Sequence, residues 1–289
     1  IISPWNYPLI LTMSPLVEAL LAGNVVVLKP SEHTPLTTRF LKEIWDNSTG
    51  KPDLFQTIYG TGEIGNALVA SDHTDIICFT GSTDVGRKIA QVCYPKFKPL
   101  ILELGGKDPM IILDDSDIDR SIDAAIWGGF SNAGQTCISV ERVFIQENIF
   151  KKVVEIFKEK IQILSSGGGE ELIGAIPVEE SFNKITKQIT DAKKKSEVIE
   201  GSVTKGRFIP PCIVINPPFD AKILEEETFG PVITIHPFKS DEEAIELANN
   251  TGYGLSASIF GKNKKRINYI SRRLNVGSVI FNDVLTHYG

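Results

Sequence analysis

Cysteine is scarce in this sequence and unpaired in its spacing. There are four in 289 residues, with no C-x-x-C pair and no Cys/His cluster of the kind that holds zinc. That pattern excludes a disulfide framework and a structural metal site, and it implies reduced thiols in an intracellular, cytoplasmic setting. Long apolar runs are missing too. The stretch from Leu9 to Leu21 is broken by Ser14, Pro15 and Glu18, which leaves no segment long enough to cross a bilayer. Excess positive charge is also lacking: 30 Lys and Arg against 36 Asp and Glu give a net charge of −6. This argues against nucleic acid as a partner, because binding a phosphate backbone takes a basic face. The run Lys193-Lys194-Lys195 then reads as a solvated helix face. At its start the sequence has no initiator Met, signal peptide or helix cap before Pro4-Trp5-Asn6, so it reads as a fragment.

What is present is an ordinary globular composition, 42% hydrophobic and 23% charged, on a chain long enough for two domains with cores of their own. From Leu16 to Leu113, short β-rich runs alternate with helical stretches, the mark of βαβ units around a parallel sheet. Strands are expected at 25–28, 55–59, 76–80 and 100–104, and helices at 36–45, 64–70 and 85–92. A boundary is placed near residue 105. Beyond it, strands are expected at 110–113, 143–145, 213–215, 232–235, 256–260 and 278–282. Helices are expected at 117–130, 149–164, 182–195 and 241–250, with a loop at 165–171. The fold class is therefore α/β, with a dinucleotide-binding domain over residues 1–105 and a second α/β domain carrying a cysteine over 106–289.

That cysteine is Cys137, framed by Asn132-Ala133-Gly134-Gln135-Thr136 just past an amphipathic segment. A lone cysteine is most often a buried core residue. Here small and amide neighbours suggest a loop open to a cleft, where close backbone N–H groups can favour a thiolate nucleophile. On the other side of the boundary, Gly60-Thr61-Gly62-Glu63-Ile64-Gly65 fits a Gly-rich dinucleotide fingerprint between strand and helix, a weak signal when it stands alone.

Phe130-x-Asn132-x-Gly134-Gln135-x-Cys137 resembles the active-site cysteine signature of the NAD(P)-dependent aldehyde dehydrogenase superfamily. Five further signatures of that family recur in its order: Pro4-Trp5-Asn6-Tyr7-Pro8, Lys29-Pro30-Ser31-Glu32, Phe79-Thr80-Gly81-Ser82-Thr83, Glu103-Leu104-Gly105-Gly106-Lys107 and Glu227-Thr228-Phe229-Gly230-Pro231. The resemblance implies a Rossmann-type sheet domain beside a catalytic domain, each incomplete at its outer end, and a homodimer or homotetramer when full length.

By the same resemblance Cys137 is the nucleophile that forms a thiohemiacetal and then a thioester, Asn6 the oxyanion amide donor beside the Cys137 backbone N–H, and Glu103 the general base for hydrolysis. Burial at a strand end would suit Glu103 to that work. The pyrophosphate falls to the turn Gly81-Ser82-Thr83-Asp84-Val85-Gly86, with Trp5 similarly placed, rather than to Gly60–Gly65. Ser82 as a plain helix cap is compatible with that role. Lys29 and Glu32 meet the adenosine ribose, and the Glu32 carboxylate tilts the choice toward NAD, with NADP possible. Glu227 contacts the nicotinamide ribose and Phe229 packs against it; otherwise Glu225-Glu226-Glu227 is an exposed acidic run. Trp127, Phe130, Ile138 and His287 either line the aldehyde tunnel or pack the core. No metal is expected. The competing reading is a non-catalytic, crystallin-like or truncated and inactive homologue.

Overall fold

Residues 1–3 run through the middle of a parallel sheet. In the computed structural model, which describes residues 1–286, Ile2 bridges Lys29 on one side and Phe79 on the other, both in parallel. The Ile2 N–H donates to Cys78 O at 2.8 Å and the Thr80 N–H to Ile2 O at 3.1 Å, while the Lys29 N–H donates to Ile1 O at 2.9 Å. The segment thereby joins two parallel pairs, β1 (Val26–Leu28) with β2 (Phe55–Thr57), and β3 (Ile77–Thr80) with β4 (Leu100–Glu103). The spatial order is β2, β1, segment 1–3, β3, β4. The chain first builds to one side of its own beginning and then crosses to the other, so the carboxyl ends of segment 1–3 and β3 form the switch point of a doubly wound sheet.

The helices of this unit, Ile1–Gly105, follow local chemistry. Helix α2 (Pro35–Thr49) has Pro at its start and ends at Gly50 with a left-handed φ of 61°. Helices α3 (Gly62–Ala70) and α4 (Thr83–Cys93) pack with β3 around Leu68, Val69, Ile77 and Ile89. Helix α1 (Ile10–Leu21) was not anticipated, because Pro15 lies inside it and breaks the apolar run. One missing donor is outweighed where Leu16 is buried with Val26, Leu28 and Phe55.

The second unit, Gly106–Gly289, is a seven-stranded sheet in the order β13-β12-β5-β6-β11-β10-β8. Its strands are β5 (Asp108–Ile112), β6 (Val140–Gln146), β8 (Glu197–Glu200), β10 (Cys212–Ile215), β11 (Val232–Phe238), β12 (Ser256–Phe260) and β13 (Ser278–Phe281), with β7 (Ser165–Ser166) and β9 (Ser202–Val203) paired apart. Every neighbour is parallel except β8, which runs antiparallel to β10. One apolar core gathers residues of α5 (Ile118–Phe130), α6 (Glu147–Gln162), α7 (Glu179–Lys195) and the short α8 (Lys222–Glu225) against the sheet; a second gathers α9 (Asp241–Asn249) and α10 (Lys264–Ser271).

Besides the short β7, β9 and α8, of which β7 lies in the expected loop 165–171, two longer elements escape the sequence pattern. Strand β8 reads Glu-Val-Ile-Glu and sits at a sheet edge, where a strand needs little apolar content. Helix α10 is mostly polar, buries only Ile267 and Ile270, and starts where Asn263 Oδ1 accepts the Lys265 and Arg266 N–H groups. All four cysteines are free. Among the described residues no helix is long and apolar enough to cross a membrane, and no group of three or more His, Cys, Asp or Glu is placed to hold a metal. His287 lies outside the described residues.

Gly128 and Gly129 close α5 where it meets the sheet. A Cβ on Gly129 would stand 2.5 Å from the Ile233 side chain and 2.9 Å from Val140 O. Gly129→Ala is therefore expected to destabilise the fold by about 1–3 kcal/mol, seen as a lower urea midpoint; an unchanged midpoint would show that α5 has room to move.

Candidate active site

The carboxyl edge of the first unit's sheet collects most of the cofactor residues named from sequence. Half-buried Trp5 and Asn6 follow segment 1–3 directly, and Gly81 and Ser82 follow β3. Ser82 is the N-cap of α4, its Oγ accepting the Val85 N–H at 3.4 Å. The turn is tightly seated: the Gly81 N–H donates to Glu103 O at 3.0 Å. A Cβ on Gly81 would come 2.5 Å from the Phe79 ring, and one on Gly86 would come 2.6 Å from Leu104. By contrast Gly65 would meet only ordinary contact, 3.6 Å from Lys29 Cδ, and Gly62 faces open space. Close backbone approach is thus demanded at the second turn and not at Gly62 or Gly65.

Just past β1, the Lys29 ammonium is buried and donates to Pro30 O at 3.0 Å and to Glu32 Oε2 at 3.2 Å. Burial pushes the Glu32 carboxyl up, but its own backbone N–H and the Lys29 ammonium outweigh this and hold it below the usual carboxylate range. An ionised, half-exposed carboxylate is thereby presented beside the sheet edge. Glu103 stands at the end of β4, as read from the sequence, but it is exposed in this unit. The expected burial is not supplied here because, among the described residues, β4 pairs only with β3, and its alternate residues Ile101 and Glu103 face outward.

In the second unit, α5 delivers the chain into a turn at Ser131–Gly134, with Asn132, Ala133 and Gly134 at φ values of 50°, 56° and 73°. Successive left-handed residues are costly outside glycine. Gln135 closes the turn, its side-chain N–H₂ donating to Asn132 O at 2.8 Å. The loop was expected to be open to a cleft. Asn132 at its start is exposed, but Ala133, Gly134, Gln135 and Thr136 are buried, and Cys137 and Ile138 are partly exposed. The cause is a close neighbour: a Cβ on Gly134 would lie 2.0 Å from Gly230 O, and one on Gly106 would lie 2.3 Å from Cys137 O.

Burial pushes the Cys137 thiol up to about 11, with the Asp108 and Glu227 carboxyls adding to the rise and the Ile138 and Cys137 backbone N–H groups opposing it. The resting group is a thiol, so a nucleophilic role requires a proton acceptor.

The acidic run Glu225-Glu226-Glu227 divides. Glu225 and Glu226 are exposed, while Glu227 is partly buried and accepts the Gly106 N–H at 3.2 Å. Burial, then the Glu141 carboxylate, raises its carboxyl to about 7, against the Gly106 N–H, Lys184 and Lys107. Phe229, next but one, has a left-handed φ of 55°. Of the residues assigned to a tunnel or a core, Phe130 is a core residue, Ile138 packs against that core, and Trp127 is exposed at 64%.

Sequence reasoning missed a buried charged cluster. Lys107 and Glu141 form an ion pair that solvent barely reaches. Beside it, Arg142 donates to Lys107 O at 2.9 Å, Leu247 O at 3.1 Å and Ala248 O at 2.8 Å. The available signal was Glu141-Arg142 in the middle of the apolar strand Val140–Gln146, where both faces are covered.

The model of the aldehyde dehydrogenase family matches residues 1–288. This chain belongs to the aldehyde dehydrogenase family. It is 38% identical over 292 residues to aldehyde dehydrogenase family 2 member C4 of Arabidopsis thaliana, covering 97% of this chain and 58% of that protein. It is 32% identical to the NADP(+) succinate-semialdehyde dehydrogenase of Escherichia coli, covering 97% of this chain and 60% of that one. Among solved structures, a betaine aldehyde dehydrogenase of Staphylococcus aureus in complex with NAD+ superposes with a TM-score of 0.94 at 31% identity, covering 99% of this chain and 61% of the other. This aldehyde dehydrogenase family member thus spans about three fifths of the length of those curated relatives.

The raised Glu227 carboxyl makes a signed prediction. Its folded value, about 7, lies above the ordinary 4.5, so the folded state holds a proton that the unfolded chain has released at intermediate pH. Its contribution is fully present below about pH 4.5 and is lost as pH rises through about 7. Relative to wild type, Glu227→Gln should therefore gain stability from pH 5 to pH 8, by on the order of 1–3 kcal/mol. A difference in urea-derived stability that stays flat across this range would place the Glu227 titration elsewhere.

Proposed function

We propose that this protein oxidises an aldehyde to the carboxylic acid with NAD(P) as cofactor and Cys137 as nucleophile. The observation that carries the reading is the Cys137 loop: a left-handed turn seats a partly exposed thiol, and the Ile138 and Cys137 backbone N–H groups oppose the rise that burial imposes on it. Family membership supports it.

The residues present suit a dinucleotide. Lys29 and Glu32 would hold the adenosine ribose, the Gly81-Ser82 turn with Gly86 and Trp5 the pyrophosphate at the start of α4, and Glu227 with Phe229 the nicotinamide ribose. The ionised Glu32 accepts ribose hydroxyls and repels a 2′-phosphate, which favours NAD. The S. aureus neighbour is complexed with NAD+ and the E. coli relative is named for NADP(+). When bound, the cofactor supplies the acceptor for the hydride that the tetrahedral adduct expels as it collapses to a thioester.

The chain's own residues do the rest. Cys137 Sγ gives up its proton to solvent water and bonds to the aldehyde carbon, and the oxyanion accepts hydrogen bonds from the Asn6 amide and the Cys137 backbone N–H. Glu103 then takes a proton from water, which attacks the thioester carbon. The C–S bond breaks, Cys137 is regenerated and the carboxylate leaves. Trp127 and Ile138 suit an apolar or aromatic aldehyde, with Phe130 supporting them from the core. A homodimer or homotetramer in the cytoplasm belongs to the same proposal.

Glu103→Gln in the full-length protein tests it. The variant should release a burst of NADH close to one equivalent per site and then turn over about 10²–10⁴-fold more slowly than wild type. A wild-type steady state would remove Glu103 from hydrolysis. Wild-type protein that forms no NADH from any of a panel of aliphatic and aromatic aldehydes would sink the function itself.

A further inference from the structure

We infer that the buried Glu141–Lys107 pair is a positioning device for the nicotinamide end of the cofactor, fixing the loop that carries Glu227 and Phe229. The inference rests on the reading of Glu227 as the nicotinamide-ribose contact.

Both charges sit where solvent barely reaches, and such burial is expensive unless each group is fully engaged. They are engaged by one loop. Glu141 accepts the Thr228 N–H at 2.9 and 3.0 Å on its two oxygens, and the Phe229 N–H at 3.0 Å. Lys107 Nζ donates to Glu141 and, at 3.1 Å, to Thr228 Oγ1. The adjoining Gly106 N–H donates to Glu227 itself.

The frame beneath this is also tied down. Arg142 donates to the Lys107 carbonyl, and Thr234 Oγ1 donates to the Glu141 carbonyl at 3.1 Å. Burial holds the Lys107 ammonium below its ordinary range, and its contact with Glu141 opposes the fall.

The loop needs such a hold. Phe229 keeps a left-handed φ of 55°, a conformation a bulky side chain adopts only when its surroundings impose it. Two adjacent backbone N–H groups aimed at one carboxylate are a charge-assisted way of imposing it. Because Thr228 lies between Glu227 and Phe229, the same bonds set where both side chains point. In Glu141→Gln the new amide N–H₂ meets the Lys107 ammonium donor to donor, and the hold on both N–H groups weakens.

The test uses the full-length protein and compares NAD with ADP, which lacks the nicotinamide end. Calorimetric dissociation constants are measured for wild type, Glu141→Gln, Glu227→Gln and the double variant. Glu141→Gln should weaken NAD about tenfold and ADP by less than about twofold. The double variant should be about as weak as the worse single one, because both act through one contact. Equal loss for NAD and ADP, or fully additive losses, would overturn the positioning role, as would an unchanged NAD affinity in Glu141→Gln when Glu227→Gln binds NAD weakly. If Glu227→Gln binds NAD normally, the ribose reading fails instead. Should Glu141→Gln not fold, Thr228→Val removes only the Lys107 bond. It should weaken NAD about threefold and spare ADP, and no change in NAD would overturn the inference.

Discussion

The site in the second unit depends on one close approach of backbone to backbone. Gly134 lies so near Gly230 that no side chain fits between them, and this contact couples the cysteine loop to the Glu227–Pro231 loop. The left-handed turn at Asn132, Ala133 and Gly134, strained by itself, lies against this contact. The Glu141 and Lys107 charges anchor the second loop from below, so the position of Cys137 and the orientation of Glu227 are set by the same few buried groups.

Electrostatics in this cluster run toward neutral protons rather than open charge. Asp108, Cys137 and Glu227 all hold protons more tightly than usual, chiefly because burial disfavours their charged forms. A thiol at about 11 beside a carboxyl at about 7 is a poor nucleophile at rest, so a nucleophilic role depends on a proton acceptor.

Much of this was legible in the sequence, and the exceptions have physical causes. Strand β12 matches its expected span, and the parallel alternation in the first unit follows from runs such as Val26–Leu28 and Ile77–Thr80. The central place of Ile2 was not legible, because three residues ahead of a proline-rich turn carry no periodicity, and their role comes from neighbours far along the chain. Only the signature Glu227–Pro231 set Glu227 apart from its exposed neighbours Glu225 and Glu226; composition and spacing could not, since identical residues in a row are separated by which one faces Gly106. Glu141 was overlooked for the opposite reason: it was visible as a charge inside an apolar strand, and only the fold shows that two backbone N–H groups and an ammonium await it.

The central claim, that Cys137 bonds covalently to the substrate carbon, is tested most directly by peptide mass spectrometry of full-length protein quenched in acid during turnover with NAD and an aldehyde. The account predicts an acyl mass on the peptide holding Cys137, formed only when both aldehyde and NAD are present. NADH formation at full rate with that peptide unmodified, or with the acyl group on Cys78, Cys93 or Cys212, would contradict it.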